Sequence, residues 1–194
     1  MSLTIRLDGK TVEDAEVEAR MRHQVSREAG VVDCQIGKQS SEVTDLVGLL
    51  GEVGFSKMFG FQRDEEVRVR SGTADFTGHN GDLIEVKSTH YKNPHLLVPA
   101  YFIDGKLTVK EPIAVYVLMR VDFQARTVEF LGWCQREELI REDRLQFFRG
   151  ASRKSFVMPC HELEQLDPLT EGIIAASCKA RGLDVSLTNS VPTA

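Results

Sequence analysis

The stretch Ala74-Asp75-Phe76-Thr77-Gly78-His79-Asn80-Gly81-Asp82-Leu83-Ile84-Glu85-Val86-Lys87 decides how this chain is read. Asn-Gly is a strong hairpin signal, because both residues tolerate the positive φ that a tight turn between strands requires. The turn containing His79-Asn80-Gly81 therefore joins two expected strands, Thr73–Phe76 and Leu83–Lys87. Side chains alternate along a strand, so Glu85 and Lys87 share one face. Ile84 and Val86 take the other face, where a helix can bury them. A hairpin pivoting near Asn80 sets Asp75 opposite Glu85. Two carboxylates and one ammonium then occupy one patch of sheet. Asp82 is the competing acid, but its odd spacing from Glu85 turns it to the other face and assigns it to the turn.

Outward from this hairpin the chain reads as helices packed around a strand cluster. Residues 3–7 alternate as a short strand, followed by a turn at Asp8-Gly9. A polar helix is expected from Thr11 to about Glu28, closed by Gly30. A stronger helix is expected over 42–59. Its Val43, Leu46, Val47, Leu50 and Gly54 recur at helical spacing, with Glu52 off that stripe on a face shared with Asp45, Gly48 and Ser56. Val67–Arg70 alternates like a strand. Ile113–Val121 is apolar and β-branched, as a buried central strand is, with Val128–Trp133 its expected neighbour. Glu137–Arg141 is a short helix candidate, and 143–155 is basic and loop-like. Phe156–Met158 is a last expected strand before Pro159. Leu169–Ala180 is a terminal helix. This order implies a mixed α/β domain with helices covering a sheet. A single domain over 1–183 is expected, with 184–194 a flexible tail. Segment 92–111, with its turn Asp104-Gly105, reads as a hairpin able to project over the site or to serve as an oligomer contact.

Composition narrows the class of function. The 194 residues are enough for one substantial core. No apolar run approaches the roughly 20 residues of a membrane helix. The N-terminus MSLTIRLDGK lacks the long apolar core of a signal peptide, so no membrane association and a cytoplasmic location are expected. Cys34, Cys134, Cys160 and Cys178 are scattered, without a CxxC pair, and read as free thiols. Net charge is −5, with 29 acidic against 24 basic residues. That balance weighs against a protein held to phosphate by nonspecific attraction alone.

The chemistry is that of a hard cation beside an ammonium. Facing carboxylates repel unless a cation lies between them. Oxygen donors suit magnesium or manganese. Such an ion polarises a phosphoryl oxygen and acidifies water. A neighbouring lysine can orient or deprotonate that water and balance charge on the phosphate. The competing reading is a solvated Glu-x-Lys ion pair on an exposed strand, since a short motif matches by chance often.

Asp75…Glu85-Val86-Lys87 resembles the PD-(D/E)XK nuclease superfamily. Gly48-Leu49-Leu50-Gly51-Glu52 resembles the glutamate-bearing first helix of that family. Leu131-Gly132-Trp133, followed by a strand ending near Pro159, is similar to the tail of some phage and bacterial members. The resemblance covers roughly residues 40–165. Ala74 stands where many members carry proline. The resemblance implies a restriction-endonuclease-like mixed β-sheet core flanked by α-helices. It implies a hydrolase with Asp75, Glu85 and Glu52 as metal ligands, Lys87 as catalytic lysine, and Mg2+ or Mn2+ as cofactor. It also implies a nucleic-acid partner, expected to be DNA. On spacing alone, Glu52 is a solvent-facing helix residue.

A homodimer is expected for cutting both strands. Arg63, Arg68, Arg70, Lys92, Arg149, Arg153 and Lys154 are candidates for a phosphate track, against a reading as scattered surface charge. Ser88, Thr89 and His90 are candidates for phosphate or water contacts, or a strand-end cap. His23 reads as exposed and Trp133 as core. The alternative function is a non-catalytic binding or assembly module on the same fold.

Overall fold

The computed structural model describes residues 2–31, 40–69, 74–78, 80–109, 112–148 and 151–188. Cys34, Arg70, Thr73, His79 and Arg149 lie outside the described residues. The chain opens with strand β1 (Ser2–Arg6), helix α1 (Gly9–Glu28) and helix α2 (Ser41–Phe59). Strands β2 (Phe76–Thr77), β3 (Leu83–Thr89), β4 (His95–Pro99), β5 (Tyr101–Ile103) and β6 (Lys106–Thr108) follow. Then come β7 (Val115–Asp122), β8 (Thr127–Gln135), the short α3 (Arg136–Leu139) and β9 (Leu145–Gln146). Strand β10 (Ser155–Pro159), helix α4 (Pro168–Ala180) and strand β11 (Asp184–Thr188) complete the described chain. The fold is mixed α/β, as the order of elements predicts.

Six strands form the main sheet in the order β11-β1-β8-β7-β3-β2. β3 and β7 run parallel, while β2 pairs antiparallel with β3. The strand expected over 113–121 is thus the interior strand β7, Val115–Asp122, and its neighbour across the antiparallel ladder is β8. β4, β10 and β9 form a second sheet, and β5 and β6 form the hairpin expected at Asp104-Gly105. Both turn residues have positive φ, 49° and 78°, the geometry that matches the twist of the strands.

Two apolar clusters lie on opposite faces of the main sheet. Ile84, Val86, Val117 and Met119 pack with Leu50, Val53, Phe55 and Met58 of α2. Tyr116 and Leu118 point the other way, to Leu96, Val98, Phe156 and Met158 of the second sheet. The alternation along β3 and β7 is therefore resolved into two buried layers. A bulge between Leu118 and Met119 lets β8 serve both. There Leu118 faces Gly132 and Met119 faces Phe130, so Leu131 is the extra residue. Gly132 has φ 138°, and a Cβ on it would come within 2.7 Å of Leu163 Cβ.

Helix α2 sits tightly on the sheet because glycines line the contact. A Cβ on Gly51 would stand 1.8 Å from Ser88 Oγ, and one on Gly54 2.4 Å from Val128 Cγ1. Ser40 caps the helix by accepting from Val43 N–H at 3.3 Å, and Gly60 ends it in the left-handed conformation at φ 77°. The apolar stripe is wider than its spacing indicates. Leu49, Val53, Phe55 and Met58 are buried as well, whereas Val43 is exposed.

Several expectations are corrected. Asp8 is not in a turn but caps α1, accepting from Thr11 N–H at 2.7 Å. Val67–Val69 is not a strand: Glu66 N–H donates to Asp64 Oδ1 and Arg68 pairs with Asp64, so local charges fold this segment on itself. β4 escaped the sequence reading because Pro94 and Pro99 bracket it, although Leu96 and Val98 alternate inward. Of the tail expected to be loose over 184–194, residues 184–188 form β11, whose Val185 pairs with Ile5 of β1, and 189–194 lie outside the described residues. His23 is not simply exposed: its Nδ1 lies 2.7 Å from Asp45 Oδ2.

Candidate active site

The site is built at the open edge of the main sheet. β2 is only two residues long, and Phe76 anchors it. The Phe76 ring is 3% exposed and lies 4.9 Å, centroid to centroid, from Phe55 of α2. Burying such a ring stabilises the fold by about 1.5–3 kcal/mol, and here it also fixes the residue before it. Phe76 pairs with Ile84, and Asp75 N–H donates to Ile84 O at 3.1 Å. Continuing that register sets Asp75 opposite Glu85, as a hairpin centred near Asn80 requires. Asp75 Oδ2 accepts from Val86 N–H at 2.8 Å. The carboxylate therefore completes the ladder where β2 has ended.

Asp82 stands apart from this group. It is exposed, its N–H donates to Asn80 Oδ1 at 3.3 Å, and its carbonyl accepts from Gly78 N–H at 2.7 Å. It is a turn residue, as strand alternation predicts.

Glu85 and Lys87 form an ion pair on β3. They lie on the face opposite α2, in register with Tyr116 and Leu118 of β7. Glu85 is largely covered, while a third of the Lys87 side chain remains exposed. Glu52 comes from the other side, on α2. It is not the solvent-facing residue that spacing alone implies. Its side chain is 13% exposed and pairs with Arg22 of α1 at 3.2 Å. Arg22 in turn reaches Glu18 at 2.5 Å and donates to Asp64 O at 2.9 Å. Asp75 thus feels the charges of both Glu85, on its own sheet, and Glu52, on α2.

Electrostatics couple the group. Burial raises the Asp75 pKa well above the ordinary carboxylate range, and the charges of Glu85 and then Glu52 raise it further. Lys87 and the Val86 N–H oppose this without cancelling it. For Lys87, burial acts to lower the pKa, but the carboxylates of Glu85 and Asp75 outweigh it and hold the ammonium above its usual value. This shift favours the charged ammonium over the free amine.

The residue types fit a hard divalent cation. All donors are carboxylate oxygens, and Asp75 is a half-buried acid whose ionised form two other acids disfavour. A dication relieves that conflict. The side chains as they stand are neutralised internally, Glu85 by Lys87 and Glu52 by Arg22. Among the described residues, no three His, Cys, Asp or Glu side chains are grouped so as to hold a metal ion.

Other candidates sort by their contacts. Ser88 faces Gly51 of α2, away from Lys87. Thr89 Oγ1 accepts from Tyr91 N–H at 3.1 Å and so caps the strand end. His90 stacks on Tyr91 with centroids 4.5 Å apart. Arg63 is 10% exposed and bound to both oxygens of Glu18, at 2.7 and 2.8 Å. Arg153 lies over the Tyr101 ring at 4.6 Å. Trp133 packs against the α2-side cluster, as a core residue does. Cys134, Cys160 and Cys178 are free thiols. Burial pushes the Cys134 thiol up to about 12, so it is an inert core residue. No helix among the described residues is long and apolar enough to cross a membrane.

The sequence reading missed Arg22 as the cation that holds Glu52. Its i,i+4 spacing from Glu18 was visible, but its reach to a second helix was not. Comparison of the chain with family models, with characterised proteins and with solved structures finds no match in any of the three.

Proposed function

We propose that this chain is a metal-dependent nuclease of the PD-(D/E)XK type, with a restriction-endonuclease-like core, hydrolysing phosphodiester bonds in DNA. The observation that carries the reading is the sheet edge itself. Asp75 stands opposite Glu85 with Lys87 beside it, and the charge of Glu52 reaches Asp75 from α2. Asp75 and Glu85, with Glu52 in support, would hold Mg2+ or Mn2+. When bound, the ion supplies Lewis acidity toward a phosphoryl oxygen and acidifies water. Lys87 donates from its ammonium to the phosphate and balances the charge that builds there. Asp75 is held in place by Val86 N–H, so its orientation is set before substrate arrives. Cutting both strands of a duplex is most simply done by two symmetry-related copies; light scattering checks that expected dimer.

A second reading is a non-catalytic assembly module whose acids are structural. The pairing of Glu85 with Lys87 and of Glu52 with Arg22 favours it. The two part on incubation with single-stranded, duplex, branched and RNA substrates, with magnesium or manganese. Cleavage that needs the metal and disappears in Lys87→Ala supports the nuclease. No cleavage of any substrate, together with no calorimetric binding of either ion, leaves the module.

A further inference from the structure

Between the C-terminal half of α1 and the first half of α2 runs a groove of about 280 Å3. Arg22, Ser26 and Arg27 line it from α1, Thr44 and Glu52 from α2, and Arg68 from the segment after α2. Three arginines therefore line one cleft of a chain whose net charge is −5. The acids in the lining are already engaged. Asp45 lies 2.7 Å from His23 Nδ1, and Glu52 is paired with Arg22. Arg68 is half-exposed and pairs with Asp64 and Glu66, themselves well exposed. Exposed pairs of that kind exchange partners at little cost. Glu52, one of the candidate metal ligands, lines this cleft, so the cleft adjoins the candidate active site.

We propose that this groove binds a backbone phosphate of the nucleic-acid strand next to the one presented to Asp75 and Lys87. Arg27 and Arg68 clasp it, and Arg22 links the clasp to Glu52. A guanidinium presents a planar fork of N–H donors that matches two phosphate oxygens, and Ser26 adds a hydroxyl at the same wall. The inference rests on the nuclease reading, since it takes the same strand as ligand. It also explains how an acidic protein holds a polyanion: the attraction is local, on the helix side of the sheet edge.

The test is binding of fluorescently labelled single-stranded and duplex DNA to the full chain by anisotropy. EDTA keeps the probe intact, and salt is varied from 50 to 200 mM, a range over which phosphate contacts are strongly screened. Wild type is compared with the double variant Arg27→Gln/Arg68→Gln and with Arg27→Lys/Arg68→Lys, each checked for fold by circular dichroism. The expected result is about a tenfold loss of affinity in the Gln variant. The slope of log K against log salt should flatten by about 1, with most of that slope kept in the Lys variant. Single Gln variants should show part of each effect, which keeps the test decisive if the double variant misfolds. Equal affinity and slope in wild type and Gln variants, with cleavage intact, overturn the groove and leave the nuclease reading standing. No binding and no cleavage by wild type overturn both. Inorganic phosphate or a mononucleotide that competes as well as the oligonucleotide overturns the strand as ligand.

Discussion

Asp75 carries two duties that conflict when no cation is present. Its carboxylate completes the β3 ladder through Val86 N–H, yet it is half-buried within reach of the charges of Glu85 and Glu52. Its raised folded pKa means that the native state holds a proton over a pH range where the unfolded chain has lost it. The metal-free protein therefore loses stability as pH rises from the ordinary Asp value, about 3.9, through the folded pKa. Asp75→Asn keeps a side-chain oxygen for Val86 N–H and removes the charge. It should raise the melting temperature of the metal-free protein at neutral pH, at about 2–4 °C per kcal/mol for a chain of this size. It should also flatten the pH dependence. A lower melting temperature, with the pH slope unchanged, would show that the ionised carboxylate is the stable form.

At the scale of elements, the site depends on a strand of two residues. β2 has too few backbone bonds to hold itself, so the Phe76 ring between Phe55 and Phe61 fixes Asp75 in register. Phe76→Ala should cost about 3–5 kcal/mol in denaturant unfolding. Cleavage should fall further than the unfolded fraction accounts for, because the edge strand loosens first. Activity that simply tracks the folded fraction would mean that Asp75 is positioned by its backbone bonds alone. The same element shows what the sequence made legible. Asn80-Gly81 and the alternation of Ile84 and Val86 were sufficient to register Asp75 against Glu85 and to separate Asp82. Helical spacing placed Glu52 on α2, off the apolar stripe. It could not show that Arg22 of α1 covers Glu52, because a contact between helices is not written in either helix's period. β4 and β11 were hidden for different reasons. Prolines bracket the first, and the second is a polar alternating run that gains order from the edge of β1 and from the core against which Val185 packs.

At the scale of the molecule, the internal ion pairs Glu85–Lys87 and Glu52–Arg22 describe the charge balance of a protein without metal. A ligand that binds only the native state stabilises it by mass action, by about 2.7 kcal/mol at a hundredfold excess over Kd. Thermal melts should therefore rise on addition of magnesium or manganese, and the rise should vanish in Asp75→Asn. An unchanged melting temperature in wild type would count against any cation at the sheet edge. The fold constrains where that cation can act. α2 and the second sheet cover the two faces of β3, so the edge beside β2 is where Asp75 meets Glu85.

The most direct measurement is a cleavage time course in magnesium on the best substrate of the panel, with wild type, Lys87→Ala, Asp75→Asn and Asp82→Asn run side by side. The sheet-edge account predicts that Asp82→Asn cuts at close to the wild-type rate, because Asp82 belongs to the Asn80 turn. Lys87→Ala should lose at least about 100-fold, the scale of removing a donor aimed at developing charge, while still binding metal by calorimetry. Asp75→Asn should lose both cleavage and metal binding. Wild-type rates in Lys87→Ala or Asp75→Asn, or a larger loss in Asp82→Asn than in Asp75→Asn, would contradict the account and move the chemistry away from this sheet edge.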